Sequence, residues 1–287
     1  MVVVLFQKKF DEVPCVAKIL DWLSHNTRPS TALHLVHCLV YDNSPTPSQQ
    51  AVAGHARISG LQNPQNGGTR AAYLAAVDVA LALNCQWILL LDHDTDLPSN
   101  FFTAADSALA KLVSGFAVAA VIPQVFDKTV QVSPSWITSY GRVSSHPETG
   151  ELKGGKNASL TAIASAAIIK TCYLSAILPI PEDFRLDYLD HWLFREMQLR
   201  GGTLVISSAK IKHSLSVFSM KSMNPQRYRA ILLAERQFLR CNGSYSRVKH
   251  GFWQLMRTVK VFLLTRRLDL CRISFRAFQK IIISREK

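Results

Sequence analysis

The sequence predicts an α/β fold in which helices flank a mixed central sheet and a helical extension follows at the C-terminus. Apolar strand-like runs alternate with helical spacing through the first half of the chain, which favours parallel pairing with helices on both faces. From Pro225 onward the pattern is helical throughout. The 287 residues and 48% hydrophobic content allow one large domain with an appendage, so we divide the chain into 1–220 and 221–287.

The predicted elements come from the period of the apolar residues, which is near 3.6 in helices and near 2 in strands. In residues 123–159 the apolar residues follow neither spacing, which predicts an irregular loop. A loop of that length in a compact domain is usually functional. The predicted elements are strands at 2–6, 33–41, 87–91 and 116–122, helices at 11–25, 69–83 and 100–112, regular structure at 160–170, a helix at 188–200 closed by Gly201-Gly202, and short strands at 204–206 and 211–213.

The cysteines and the N-terminus indicate the compartment. The six cysteines form no CxxC pair and most lie in apolar stretches, which is typical of reduced thiols in a cytoplasmic protein rather than of a disulfide or zinc framework. The first apolar run is too short for a signal peptide. Lys111 and Lys170 interrupt the runs that come nearest to a membrane span. We therefore expect a cytoplasmic protein.

The positive charge is concentrated in the C-terminal tail. Residues 245–287 contain eleven Lys and Arg against two acids, which is +9 of the chain's net +13. These cations are interleaved with bulky apolar residues such as Trp253 and Phe262. A helix of this kind can lie in an anionic membrane interface, on the inner face of the plasma membrane; the alternative is packing on the domain with a solvated basic rim. No nucleic-acid recognition motif accompanies the charge, so no nucleic acid is expected as partner.

Acids follow the predicted strand at 87–91, in the run Asp92-His93-Asp94. Ligands of open α/β sheets lie at the carboxyl ends of the strands. Two carboxylates there can hold a hard divalent cation, which can bind a nucleotide diphosphate. The alternative is an acidic turn before the next helix. By strand alternation His93 should point to the other face and pack, and Asp96 should cap the following segment.

Two further polar motifs precede that strand. Asp42 ends the predicted strand at 33–41, where it is either a ligand contact or a turn former before Pro45. The run from Asn66 through Gly68 to Arg70 enters a helix, whose N-terminal amides attract anions. Arg70 adds a fixed charge that could meet a phosphate. The alternative for this run is a glycine-rich loop with a solvated Arg.

A second acidic pair, Asp187 and Asp190, lies at the start of the predicted helix at 188–200. Residues three apart on a helix share a face, so we expect the two carboxylates to lie together. A carboxylate so placed can take a proton from a hydroxyl as a general base. The alternative is that acids simply favour a helix N-terminus.

These four motifs, in this order, resemble the family 2 glycosyltransferases of the GT-A (Rossmann-like) fold, and look closest to the bacterial branch that includes rhamnosyltransferases. The resemblance covers residues 2–213. It implies inverting transfer from a nucleoside-diphosphate sugar, plausibly dTDP-rhamnose or a UDP-sugar, to a saccharide or lipid-linked saccharide in cell-envelope polysaccharide synthesis. It also implies Mg²⁺ or Mn²⁺ as the cofactor, suited to carboxylate and phosphate oxygens.

The resemblance assigns roles to individual residues. Counting back from Gly201, Asp190 matches the family's base, with Asp187 in reserve. The metal ligands would be Asp94, Asp92 and His213, and Asp92 could instead contact the ribose. The remaining donor-binding residues would be Phe6, Asp42 (to the pyrimidine ring), Asn66, Gly68 and Arg70.

Some positions depart from the family pattern or have no assigned role. Tyr73-Leu74 stands where many members carry an Asn, and Arg195 is one position away from the expected Arg. These departures leave open a non-catalytic relative that binds a nucleotide or saccharide, with a basic nucleic-acid-binding protein as a weaker alternative. In the irregular segment, Trp136, Tyr140 and His146 could stack an acceptor sugar or anchor the loop to the core.

Overall fold

The computed structural model describes residues 1–24, 33–46, 55–110, 117–138, 143–147, 150–152, 158–212, 220–241 and 245–283. The strands are β1 (Val2–Leu5), β2 (Cys38–Asp42), β3 (Ile58–Gln62), β4 (Trp87–Asp92), β5 (Val118–Asp127), β6 (Val130–Ser133), β7 (Ser135–Thr138), β8 (Val143–Ser145), β9 (Gly150–Leu152), β10 (Ala158–Thr161), β11 (Ile168–Lys170) and β12 (Thr203–Lys212). The α-helices are α1 (Val16–Ser24), α2 (Gly68–Ala82), α3 (Phe101–Ala110), α4 (Thr171–Ala176), α5 (Leu189–Leu199), α6 (Pro225–Arg240), α7 (Arg247–Thr265) and α8 (Leu268–Ile283), and Phe10–Glu12 forms a 3₁₀ turn.

A nine-stranded mixed sheet forms the centre of the fold, as the sequence predicts. Its order is β3-β2-β1-β4-β11-β5-β12-β9, with β6 paired to β5. The strands β3, β2, β1 and β4 are parallel, whereas β11 runs antiparallel between β4 and β5. A second, three-stranded sheet has the order β10-β7-β8. The parallel half brings the carboxyl ends of four strands to one edge.

Helices cover both faces of the central sheet because the strands are apolar on both faces. In β1, Val2 and Val4 belong to the core on the side of α2 and α5, while Val3 and Leu5 belong to the core on the side of α1 and α3. Strands buried on both faces read as continuous apolar runs, which is what the sequence shows. The helix prediction at 188–200 is also confirmed, since Gly201 has φ +78° directly after α5.

Several predicted elements are wrong. Residues 123–159 are not one irregular loop, because the described parts form the second half of β5 and the short strands β6 to β9, with β10 starting at Ala158. The two strands predicted at 204–206 and 211–213 are one strand, β12. The strand β3 and the helix α4 carried no clear signal, since their side chains do not keep a period long enough to detect.

The C-terminal helices form a small bundle on the main domain. The helix α6 joins the two cores: Phe238 packs in the main core, while Leu232 packs in a separate cluster with Val261 of α7 and Leu270 of α8. The helices α7 and α8 are antiparallel, since Gln254 of α7 donates to the carbonyl of Ser274 at 3.2 Å while Gly251, earlier in α7, lies beside Ile282, later in α8. Within the described ranges, no helix combines the length and apolar character needed to cross a bilayer.

Candidate active site

Three of the predicted donor-binding residues lie at the ends of neighbouring parallel strands. Leu5 of β1 is in register with Asp42 of β2, and Val4 of β1 is in register with Asp92 of β4. Two strand spacings put the Asp42 and Asp92 backbones about 10 Å apart. Phe6 follows β1 between them and is 39% exposed. The edge therefore presents an aromatic ring with a carboxylate residue on each side.

The turn that follows β4 is fixed by a serine that the sequence did not single out. The backbone amide of Asp92 donates to Oγ of Ser165 at 2.9 Å, and that oxygen lies 2.7 Å from Oγ1 of Thr95. Both Ser165 and Thr95 are buried. Ser165 comes from the loop before β11, about 70 residues along the chain, so no local pattern could have linked it to this turn.

The acids of this turn have different surroundings. Asp94 is exposed and Asp92 is partly buried. Nδ1 of His93 lies 3.3 Å from the carbonyl oxygen of Val4, so His93 packs as predicted. Asp96 does not cap a helix, because its carboxylate pairs with the Lys18 ammonium at 2.7 Å.

Asp42 is the buried end of β2. Its Oδ1 accepts a hydrogen bond from the Ser44 amide at 2.8 Å, which is the local turn that Asp favours. Oγ of Ser44 in turn accepts from the Gln7 amide at 2.7 Å, tying this turn to the residue after Phe6. The turn-forming role is therefore observed, and a contact with the nucleotide base stays a prediction.

The N-terminus of α2 is packed against the chain before α5. Gly68 has φ +71°, and a Cβ atom there would lie 2.3 Å from the carbonyl oxygen of Arg185. Oδ1 of Asn66 accepts from the Gly68 amide at 3.2 Å. The Arg70 backbone amide donates to the Arg185 carbonyl, and its Nε donates to the Ile180 carbonyl at 2.8 Å. Arg70 thus links α2 to the acidic segment at 187–190, and phosphate binding by it stays a prediction.

Asp190 lies in the first turn of α5, partly buried, with its Oδ2 accepting from the Ala164 amide at 3.0 Å. Burial raises the pKa of this carboxyl to about 7, the Ala164 bond opposes the rise, and the charges of Asp92 and Asp187 add to it. The adjacent residues Ala164 and Ser165 hydrogen-bond Asp190 and Asp92 respectively, so the two acidic motifs, about 100 residues apart in sequence, meet in one site.

Asp187 does not share a helical face with Asp190, contrary to the prediction. Tyr188 between them has φ +61°, and the helix begins only at Leu189. The left-handed residue turns the Asp187 carboxylate towards α6, where it lies 3.7 Å from the Arg227 guanidinium. Burial raises the pKa of Asp187, and the Arg227 charge opposes that rise.

Tyr188 connects the site to the C-terminal bundle. Burial, together with a side-chain hydrogen bond to Glu235 of α6, raises the pKa of Tyr188. Glu235 is also paired with Arg257 of α7, whose Nη2 lies 2.7 Å from Oε1. The ring of Tyr188 packs against Phe238 and against His191, whose pKa burial lowers to about 4. The bundle therefore supports the backbone that carries Asp190.

Tyr73 is a site residue that sequence reasoning noted only as a departure. It is buried on α2, and its pKa is raised first by burial and then by the charges of Asp92 and Asp190. A phenol therefore stands close to both acidic motifs. Its position on the buried face of the helix that follows Gly68 was the available signal.

On the acceptor side, Trp136 lies in β7 and packs against the main core. Nδ1 of His146 lies 3.0 Å from the Pro134 carbonyl oxygen. Tyr140 and the predicted metal ligand His213 lie outside the described residues.

Binding of a magnesium or manganese ion by the carboxylates of Asp92 and Asp94 stays a prediction. Mg²⁺ is usually bound through one or two carboxylates together with substrate phosphates, without a complete cage of protein ligands. The part of the chain that the structure describes contains no cluster of three or more His, Cys, Asp and Glu side chains that could hold a metal ion by themselves.

The chain is similar to known structures although its sequence matches none of the family models or curated proteins searched. A crystal structure of S. aureus TarS residues 1–349 is 12% identical, with a TM-score of 0.49 over 98% of this chain and 89% of that one. A second TarS structure is 14% identical, with a TM-score of 0.50 over 98% of this chain and 54% of that one. The chain has a GT-A fold. The likeness is one of fold, and in that GT-A fold Asp92 ends β4, Asp94 follows it, and Asp190 lies in the first turn of α5.

Proposed function

We propose that this protein is an inverting glycosyltransferase that moves a sugar from a nucleoside-diphosphate sugar to a hydroxyl of a saccharide acceptor. The observation that carries the proposal is Asp190, a partly buried carboxyl beside the carboxyl end of β4 whose pKa is raised to about 7. A general base is most effective when its pKa lies near the working pH. The GT-A fold supports the same reading.

In the proposed reaction, the Asp190 carboxylate takes the proton of the acceptor hydroxyl. The hydroxyl oxygen attacks the anomeric carbon from the side opposite the leaving group and forms the new glycosidic bond. The bond from that carbon to the diphosphate oxygen breaks, and the nucleoside diphosphate leaves with the electron pair. The configuration at the anomeric carbon is therefore inverted.

The donor would lie along the edge formed by β1, β2 and β4. We assign the nucleotide to Phe6, Asp42 and Asp92, and dTDP-rhamnose or a UDP-sugar remains the donor that we would test first. Asp92 and Asp94 would hold Mg²⁺ or Mn²⁺, which neutralises charge on a leaving diphosphate when it is bound. Asn66, Gly68 and Arg70 would border the diphosphate.

We place the reaction in cell-envelope polysaccharide synthesis, at the inner face of the plasma membrane. The acceptor would be a saccharide or a lipid-linked saccharide. Support for the membrane location comes from the basic C-terminal bundle, which adjoins the acceptor base through Tyr188, Glu235 and Arg257.

The test is a pair of variants, Asp190→Asn and Asp187→Asn, assayed for transfer from dTDP-, UDP-, GDP- and CDP-sugars with Mn²⁺. We expect Asp190→Asn to lose transfer by 10²- to 10⁴-fold, the usual contribution of a general base, while nucleotide still raises the melting temperature. Asp187→Asn should keep measurable turnover. Full turnover in Asp190→Asn would remove it from the role of base, and nucleotide binding by wild type without transfer would favour the non-catalytic alternative.

A further inference from the structure

The helix α7 has a buried inner face and an exposed outer face. Its inner face is occupied, since His250, Gln254 and Val261 are buried against α6 and α8. Its outer face presents Val248, Phe252, Met256, Val259 and Leu263, which are between 47% and 75% exposed. These positions follow one another at intervals of three or four residues, so they form one ridge along the helix, which we call the α7 ridge.

The α7 ridge continues onto α8. A Cβ atom on Gly251 would lie 2.6 Å from Cδ1 of Ile282, so the two helices approach closely at this end of α7. The α8 side chains Phe275 and Ile282 are each 43% exposed. A continuous exposed apolar surface on a soluble domain marks an interaction site, whereas single exposed apolar residues do not.

The charges around the ridge have one sign. The helix α7 contains no Asp or Glu, and Lys249 and Lys260 flank the ridge on the helix surface. The only acid of α8, Asp269, is paired with Arg267. At the turn between the helices, the Arg266 guanidinium lies 6.0 Å from the centre of the Phe262 ring. Two copies of such a surface would repel each other, whereas an anionic lipid surface would attract it.

We propose that the α7 ridge docks in the plane of an anionic bilayer, with its apolar side chains among the acyl chains and its cations at the headgroups. An amphipathic helix with aromatic residues on its apolar face and Lys or Arg beside it binds an interface in this way. The inference deepens the membrane location that is part of the proposed function. It also gives the reason for an apolar face that packing within the described chain does not cover.

The docking test is flotation of the full chain with vesicles of phosphatidylcholine, with and without phosphatidylglycerol. We expect wild type to float with the anionic vesicles at low salt, and Phe252→Glu/Leu263→Glu to stay in solution. The matched control is Leu81→Glu/Val130→Glu, which places two acids at similarly exposed apolar positions of the main domain and should float like wild type. Melting temperatures near that of wild type would confirm that all three proteins fold.

The charge is tested by Lys249→Gln/Lys260→Gln. Each cation near an anionic surface contributes about fivefold to the affinity, so the loss of two should lower the affinity for anionic vesicles about 30-fold. The difference from wild type should shrink at high salt. Binding of Phe252→Glu/Leu263→Glu at the wild-type level would overturn the proposal. So would a wild-type protein that does not float, or one that forms dimers which the two ridge substitutions separate.

Transfer to a water-soluble saccharide, measured without vesicles, distinguishes docking from catalysis. If both inferences are right, Phe252→Glu/Leu263→Glu transfers sugar at the wild-type rate and fails to float. A wild type that floats but transfers nothing would contradict the proposed function alone. A wild type that transfers but does not float would contradict the docking alone.

Discussion

The two acidic motifs of the site use the same residue type in opposite environments. Asp94 is exposed at the end of a rigid parallel strand, and Asp92 next to it is braced through its backbone by Ser165. Asp187 precedes α5 and Asp190 lies in its first turn; both are partly buried, and the pKa of each is raised by burial. The difference in burial shows how carboxylates of one site can be suited to two tasks, binding a cation and taking up a proton.

An exposed carboxylate such as that of Asp94 can bind a cation with little loss of hydration. A carboxylate that burial brings to a pKa near 7 can release and take up a proton at neutral pH. In the proposed function, the motif on β4 would bind the diphosphate and the motif on α5 would take the proton of the acceptor hydroxyl.

The largest expected effect is on Asp94→Asn, which separates cation binding from the other acids of the same turn. We expect transfer to fall at least 100-fold, because a ligand of the proposed cation is lost. The rise in melting temperature that a nucleotide causes in Mn²⁺ should disappear with it. The matched control is Asp96→Asn, whose carboxylate pairs with Lys18 and should leave transfer unchanged. Equal losses in the two variants would contradict the assignment.

The pH profile is the next test, and it concerns Asp190. The base must be ionised, and its pKa is raised to about 7, so kcat/KM should fall about tenfold per pH unit below 7. His191 cannot cause this fall in kcat/KM below pH 7, because burial lowers the pKa of His191 to about 4. In Asp187→Asn the fall should move to lower pH, since a neighbouring negative charge that raises the Asp190 pKa is gone. If the acid side of the kcat/KM profile does not move in Asp187→Asn, then the Asp187 charge does not raise the pKa of Asp190.

The stability of Asp190→Asn should change in the opposite direction to its activity. The Asp190 pKa is higher in the folded than in the unfolded chain, so the folded state binds the extra proton between pH 4 and pH 7, and stability falls as pH rises through that range. Asp190→Asn should therefore raise the free energy of unfolding by about 4 kcal/mol at pH 8, since a rise of about three pKa units is lost with the carboxyl, with no gain near pH 4. Urea unfolding at the two pH values measures this. A variant that is less stable than wild type at pH 8 would contradict the cause given for the raised pKa.

The smallest effect should come from Ser165→Ala, which removes the brace of the β4 turn. We expect a loss of about 1 kcal/mol in stability and a several-fold rise in the KM for the donor, because the Asp92 amide loses its partner. Ser133→Ala is the matched control: Ser133 is equally buried and accepts from the Ile163 amide at 2.8 Å. Thermal melts and donor titrations of both variants should show similar losses of stability and a changed KM in Ser165→Ala alone.

Local patterns in the sequence were enough for most of the fold. The strands β1 and β4, the helices α2, α5 and α6, and the glycine cap at Gly201 follow from apolar period and end signals, which depend on neighbours in the chain. The short strands between 123 and 159 could not be predicted in this way, because each is only three or four residues long, and β9 is held by pairing with β12, about 50 residues away in the chain.

The sequence by itself determined which side chains stand at strand ends and helix starts, including Asp92, Asp94 and Asp190. Only the tertiary structure decided how they meet. The contact of Asp92 with Ser165, the turning of Asp187 towards Arg227 and the burial that raises the Asp190 pKa all join segments far apart in the chain. The physical reason is that hydrogen bonding, burial and charge act through space, whereas periodicity records only what lies a few residues away.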